Sequence, residues 1–246
     1  MSNEFQNHLP PISEIWVYLS GSPLLALVLT LSAYLLGLTL YERSQRNPLA
    51  NPVLIAVVVV TLSISVLDMP YAKYFEGAQF VHFLLGTATV SLAIPIYKGF
   101  ASLKGRMGVL LLSLVAGGVT SALTAVGVAR WLGVDESLVR GLVAKSVTAP
   151  IAMGIAERVQ ASPTLTAIFA VSTGILGAVL GRYVLDALRV TAWWQRGFAL
   201  GVAAHGIGTS RAFSVHPEAG AYASLGMGLH GIVGAVVIPY AVAWWF

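Results

Sequence analysis

The sequence predicts an all-α polytopic membrane protein, and three observations predict it. Of the 246 residues, 57% are hydrophobic and 10% charged, whereas about a quarter of an average soluble domain is charged. The mean hydropathy is +0.81. Apolar runs recur along the chain, several near the ~20 residues that cross a bilayer as a helix. A soluble fold would lack the polar residues to cover its surface. No long gap separates the runs, so residues 1–246 read as a single membrane domain.

About eight hydrophobic segments carry the prediction: residues 15–40, 51–67, 78–97, 107–129, 138–155, 165–185, 197–208 and 222–246. The seventh is only about half a span. Ahead of the first lies a polar leader, residues 1–14, with Glu4 and Glu14 and no basic stretch before the apolar run. It does not resemble a cleaved signal peptide, and Trp16 and Tyr18 suit the membrane boundary.

Lysine and arginine bias orients such a chain. Arg43 and Arg46 follow segment one; Lys98, Lys104 and Arg106 follow segment three. Both loops are therefore expected in the cytoplasm, with the N-terminus outside. The loop after segment six holds Arg189 and Arg196. It can also be cytoplasmic only if segment five enters and leaves on one face. Segments five and seven are each crossing or re-entrant.

Composition also excludes. Without cysteine there is no disulfide framework or thiolate metal site. The net charge of +4 is scattered between apolar runs, which fits topology rather than nucleic-acid binding. No Ser/His/Asp set or HExxH stands out. The Gly-x-Gly pairs in "GMGLHG" and "HGIGTS" lack the strand–turn–helix context of a phosphate loop. Neither enzymatic activity, a metal nor a cofactor is expected.

Ionisable groups inside a membrane cost roughly 2.5 to 3.5 kcal/mol each on insertion scales, so they mark sites to explain. Lys145 stands in segment five, His205 and Arg211 around segment seven, and His230 in segment eight. Each has a structural alternative. Lys145 can pair with Glu76 or Glu157, and His230 can pack among glycines. Arg182 and Asp186, four apart, fall on one helical face as an ion pair. Gly177 and Gly181 form a GxxxG spacing that permits close helix packing.

Two short echoes suggest an internal repeat. "TATVSLA" (87–93) resembles "SVTAPIA" (146–152), and "RGLVAKSVT" (140–148) aligns with a gap to "RGFALGVAAHGIGTSRA" (196–212). Pro150 removes a backbone donor, and Gly206 and Gly208 invite a break. Broken helices survive at membrane depth only where they line a cavity. Their N-termini suit anions, and paired broken helices mark transporter sites. Lys145 and Arg211 supply cations; Thr87, Thr89, Ser146, Thr148 and Thr209 supply hydroxyls. With His205 and Gly206 they describe a pocket for a small carboxylate carrying further oxygens. Glu76, Glu157 and His205 are the ion-coupling candidates.

The stretches "YFEGAQFVHFLLGTATVSLAIPIY", "KSVTAPIAMGIAE", "TGILGAVLG" and "AAHGIGTSRA" resemble the LrgB/CidB family over residues 50–240. The resemblance implies a bacterial inner-membrane protein. Members were first described as holin- or antiholin-like partners of the small LrgA/CidA membrane proteins, linked to murein hydrolase activity and autolysis. It also implies kinship with the C-terminal half of the plastid glycolate/glycerate translocator. Thr87 and Ala144 stand where members often carry proline, and Arg182 stands where the family is usually uncharged. Three functions follow: an alternating-access secondary transporter of small 2-hydroxy or 2-keto monocarboxylates; a holin-like protein modulating murein hydrolase export; or a structural subunit of an LrgA/CidA-like partner. The bilayer is the surrounding medium, and a homodimer is expected through Gly177/Gly181 or segment one.

Overall fold

The computed structural model describes residues 23–91, 94, 97 and 105–246, without the side chains of residues 23, 82, 85, 86, 88 and 89. The leader, the start of segment one and the end of segment three lie outside the described residues. The described residues form nine helices and no strand. They are α1 (Pro23–Arg43), α2 (Pro52–Val66), α3 (Tyr71–Ser91), α4 (Met107–Trp131), α5 (Glu136–Leu142), α6 (Ala149–Arg158), α7 (Pro163–Ala187), α8 (Trp193–Val215) and α9 (Pro217–Trp245), with a short 3-10 turn at Pro48–Ala50. Four described helices are long and apolar enough to cross a membrane: Leu24–Arg43, Met107–Trp131, Pro163–Ala187 and Pro217–Trp245. The chain is a helical membrane protein.

Its contacts divide the chain into two compact units, Met1–Leu85 and Gly86–Phe246. In the first, Asn51 caps α2 by accepting from the Val53 and Leu54 amides at 2.9 and 3.1 Å. Pro52 opens the helix where no amide is needed. Gly37 lets α1 meet that turn: a Cβ there would fall 2.6 Å from the Pro52 carbonyl oxygen. Thr30 and Tyr74 join α1 to α3 by a 2.8 Å hydroxyl contact. Two expectations change here. The second segment is a 15-residue helix, about 22 Å long and short of a ~30 Å hydrocarbon core. The third starts at Tyr71 rather than at residue 78, so Glu76 belongs to the helix.

In the second unit, α4, α7 and α9 are the long helices, and segments five and seven are hairpins. Helix α8 is the clearer case. Ala204 (φ −127°, ψ 15°) and His205 (φ 40°, ψ −131°) leave helical geometry. Twenty-three residues of straight helix would measure about 34 Å. Yet Trp193, its first residue, stacks on His216, one past its last, with ring centroids 4.9 Å apart and planes 7° apart. The chain therefore runs inward to Ala204 and back to where it began. Glycines make the packing possible. A Cβ on Gly197 or Gly201 would overlap the carbonyls of Ala219 or Ala223 on α9, so α9 lies directly on the ingoing arm.

Segment five is built the same way from shorter pieces. Helix α5 runs in, residues 143–148 turn, and α6 runs back. Val139 and Val143 of the ingoing side and Ile155 and Val159 of the returning side share one apolar cluster with Val126 and Ala129 of α4 and Val242 of α9. Val147 and Ile151 of the same cluster, nearer the tip, also meet Gly234 and Gly231, towards the middle of α9. Pro150 does not break a helix here. It occupies the first turn of α6, where its missing amide costs nothing; the interruption lies upstream.

The two hairpins start from opposite ends of the bundle. At the base of the α5–α6 hairpin, Arg130 pairs with Glu136 and donates to the Trp245 carbonyl at 3.3 Å, while Arg130 and Arg140 lie over the Phe246 ring. There Asp135 caps α5, and hydrogen bonds from the Ser137 hydroxyl and amide hold its carboxyl below the usual range. At the base of the α8 hairpin, Arg106 donates to the Tyr222 hydroxyl at 3.3 Å and lies over Trp194, while Arg196 pairs with Asp186 at 2.6 Å. Each arm is about 10 to 17 Å long, near half a bilayer.

Candidate functional site

Near the tip of the α5–α6 hairpin a lysine and two serines converge. Lys145 Nζ donates to Ser121 Oγ at 2.7 Å and to Ser146 Oγ at 3.4 Å. The two serine hydroxyls stand 2.6 Å apart. Lys145 is half-buried and Ser146 buried. Ser121 comes from α4, which presents it because Gly117 and Gly118 keep the neighbouring turn thin: a Cβ on Gly118 would come 2.9 Å from the His230 ring. No carboxylate pairs with Lys145 among the described residues. Glu157 is exposed at the base of the returning arm, and Glu76 is exposed on α3 of the first unit.

Cavities flank this cluster. One of about 590 Å³ is lined by Ser121, Lys145, Thr173, Gly177, Ala199 and Ala203. It brings the first hairpin, α7 and the ingoing arm of α8 together. A second, of about 230 Å³, touches Ser121, Ser146, Gly118 and His230 and is otherwise apolar. Sequence reasoning missed Ser121 and Thr173. Each stands beside another hydroxyl residue, Thr120 or Ser172, in a long apolar helix, and nothing in its local pattern separates it from a serine or threonine bonded to its own helix.

The α8 tip is held differently. Buried His205 donates from Nε2 to the Ala170 carbonyl of α7 at 2.8 Å. Thr209 Oγ1 donates to the His205 carbonyl at 2.8 Å, and its hydroxyl lies 3.8 Å from Met227 Sδ. The positive φ falls on His205 rather than on Gly206 or Gly208. Gly174 of α7 leaves room for the imidazole, with a would-be Cβ 2.7 Å from its Cε1, and Gly177 and Gly181 of the same helix receive Ala204 and Leu200. The GxxxG face is thus occupied within the chain, which removes it as a candidate dimer face. Segment one remains the other face named for a dimer.

The other expected residues are dispersed. Thr148 is buried at the start of α6, and its hydroxyl has no hydrogen-bond partner among the described residues. Gly206 follows the α8 tip, where an added Cβ would lie 3.9 Å from Met227 Sδ. Thr87 is exposed on α3, and the Thr89 side chain lies outside the description. Arg211 lines a separate cavity, with Arg182, Asp186, Trp193 and Arg196. The expected Arg182–Asp186 pair forms at 3.6 Å. Arg211 lies on the returning arm, two turns from the tip, while Lys145 lies at a tip. Among the described residues there is no cluster of three or more metal-ligating side chains.

Long apolar helices with two hairpins that reach in from opposite ends define a polytopic helical membrane protein. The chain belongs to the LrgB-like family, whose pattern it matches over residues 30–244. It is similar to the Bacillus subtilis protein named "Uncharacterized protein YwbG", with 33% identity over 89% of this chain and 97% of the relative. It is also similar to proteins named "Holin-like protein CidB": 27% identical in Staphylococcus epidermidis and 26% in Staphylococcus aureus, each over 89% of this chain and 95% of the relative. No solved structure matches.

Proposed function

We propose that the chain is a holin-like protein of the bacterial inner membrane that modulates murein hydrolase export and autolysis, beside an LrgA/CidA-like partner and as a homodimer. The observation that carries this reading is the near full-length similarity to proteins named holin-like CidB. The whole chain acts as one membrane domain. The end of the bundle that holds Arg106, Arg189 and Arg196 is the cytoplasmic one by the positive-inside rule, with the N-terminus outside. Deleting the gene is expected to change secreted murein hydrolase activity and the rate of autolysis several-fold. Restoring the intact chain should reverse both, and unchanged zymograms and lysis curves would contradict the reading.

One observation favours a second reading: an ammonium group held by two serines at the tip of a re-entrant hairpin. A pore needs no such group, and it is costly at membrane depth. On this reading the protein is a secondary transporter of glycolate, glycerate, pyruvate or lactate, coupled to protons or sodium by alternating access. Lys145, Ser146 and Thr148 from one hairpin and His205, Gly206 and Thr209 from the other hold the carboxylate, with Arg211, Thr87 and Thr89 along its route. Glu76, Glu157 and His205 are its ion-coupling groups. Proteoliposomes should then take up one of these labelled acids under a pH or sodium gradient. Lys145→Ala should lower uptake at least ~10-fold, the worth of a charge-assisted hydrogen bond. Absence of uptake for all four acids would reject the transporter and leave the holin-like reading standing.

A further inference from the structure

We infer that the cavity of about 230 Å³ beside the Lys145 cluster binds a monocarboxylic acid with a hydrocarbon chain, its carboxylate at the serines and its chain along α9. Lysine only donates, so Ser121 and Ser146 both accept from Lys145, at 2.7 and 3.4 Å. The two hydroxyls share one bond at 2.6 Å, and one hydroxyl proton serves it. The other hydroxyl proton meets no acceptor among the described residues. His230 carries at least one ring N–H and is only 8% exposed, and it too has no hydrogen bond among the described residues. Both serines and His230 line the cavity. Buried donors are rarely left unmet, and Lys145 adds a charge that no described carboxylate offsets. This end of the cavity therefore suits an anionic acceptor, and a carboxylate brings two oxygens to its donors.

The remaining lining selects the body of the ligand. Apart from those three residues it is apolar, and includes Leu114, Val119, Val143, Ile238 and Trp245. His230, Gly234, Val237, Ala241 and Trp245 recur every three or four residues, so they share one face of α9. That face runs about 22 Å, from the middle of α9 to its end at the base of the first hairpin. The slot thus holds its donors at half depth and its apolar end towards the membrane surface. A phospholipid would lie there with the reverse polarity, chain ends at half depth and headgroup outside, and would leave the donors unmet. A short free acid matches in both respects. The inference deepens the transporter reading and rests on it for movement of the acid, which then carries a hydrocarbon chain rather than further hydroxyls; binding is tested without transport.

The test titrates the full-length protein in a non-ionic detergent with acetate, butanoate, hexanoate and octanoate at fixed ionic strength, by isothermal calorimetry. Each added methylene is expected to tighten binding about 4-fold. Val237→Phe narrows the slot about two turns from His230, so it should abolish the gain from hexanoate to octanoate while the shorter acids still bind. Lys145→Met should weaken every acid at least ~10-fold. Val237 is half exposed, so its variant remains informative if Lys145→Met fails to fold. Equal affinity along the series would overturn the assignment. So would the same gain in Val237→Phe, which partition into detergent micelles alone would give. Hexanoate binding without uptake of any acid into proteoliposomes would leave this site standing and reject the transporter. Uptake of pyruvate without hexanoate binding would do the reverse.

Discussion

Gly201→Ala is expected to cost on the order of 3 kcal/mol of folding stability. The physical reason is local. The ingoing arm of α8 meets α9 backbone to backbone, and a Cβ on Gly201 would overlap the Ala223 carbonyl. Both partners are main chain, so no flexible side chain can move aside. Gly197 repeats the arrangement one turn earlier against Ala219. The comparison is Gly127→Ala on α4, where nothing lies within 4 Å of the added methyl group and no loss is expected. Thermal unfolding of the purified proteins in detergent measures the difference. A Gly201→Ala protein as stable as Gly127→Ala would mean that the ingoing arm does not lie on α9.

The second large effect falls on His205 and inverts the ordinary helix ranking. In a helix interior, glycine is worse than alanine by about 1 kcal/mol. At His205 the chain reverses with φ 40° and ψ −131°, outside the left-handed well that histidine tolerates. Such backbone costs a non-glycine residue about 1 to 3 kcal/mol, and the histidine is held there by its bond to the Ala170 carbonyl. His205→Ala loses that bond and keeps the strain, whereas His205→Gly loses the bond and sheds the strain. His205→Gly is therefore expected to melt above His205→Ala. The opposite order would indicate that residue 205 stays helical and that α8 does not reverse.

Much of the membrane architecture was legible because apolar length is a strong signal: segments four, six and eight correspond to α4, α7 and α9. The irregularity of segments five and seven was legible too, from Lys145, Pro150 and the clustered glycines. Its cause was less so. Pro150 reads as a breaker, yet its fixed φ makes it a helix starter when the turn precedes it. Gly206 and Gly208 read as the break of α8, yet the reversal rests on His205, because tertiary contacts from α7 hold that backbone where propensity would not. The weaker echo, "RGLVAKSVT" against "RGFALGVAAHGIGTSRA", has a structural counterpart. In each hairpin an arginine stands at the base, and the next residue, Gly141 or Gly197, admits a neighbouring helix.

The site was legible by residue type more than by grouping. Lys145 and Ser146 meet, but their partner Ser121 comes from a helix read only as a span. Arg211, two turns beyond His205, shared its motif and so suggested one pocket. The reversal of α8 carries it back to the bundle's end, beside Arg182 and Arg196. Helical spacing cannot anticipate this, because it assumes that the chain continues in one direction.

The central claim is that the two hairpins enter the bundle from opposite ends. The chain has no cysteine, so single cysteines report cleanly. A membrane-impermeant thiol reagent applied to intact cells is predicted to label cysteines at positions 135 and 160 alike. Cysteines at positions 191 and 216 should be protected until the membrane is opened. Opposite accessibility of 135 and 160, or of 191 and 216, would contradict the account by making that segment a crossing helix.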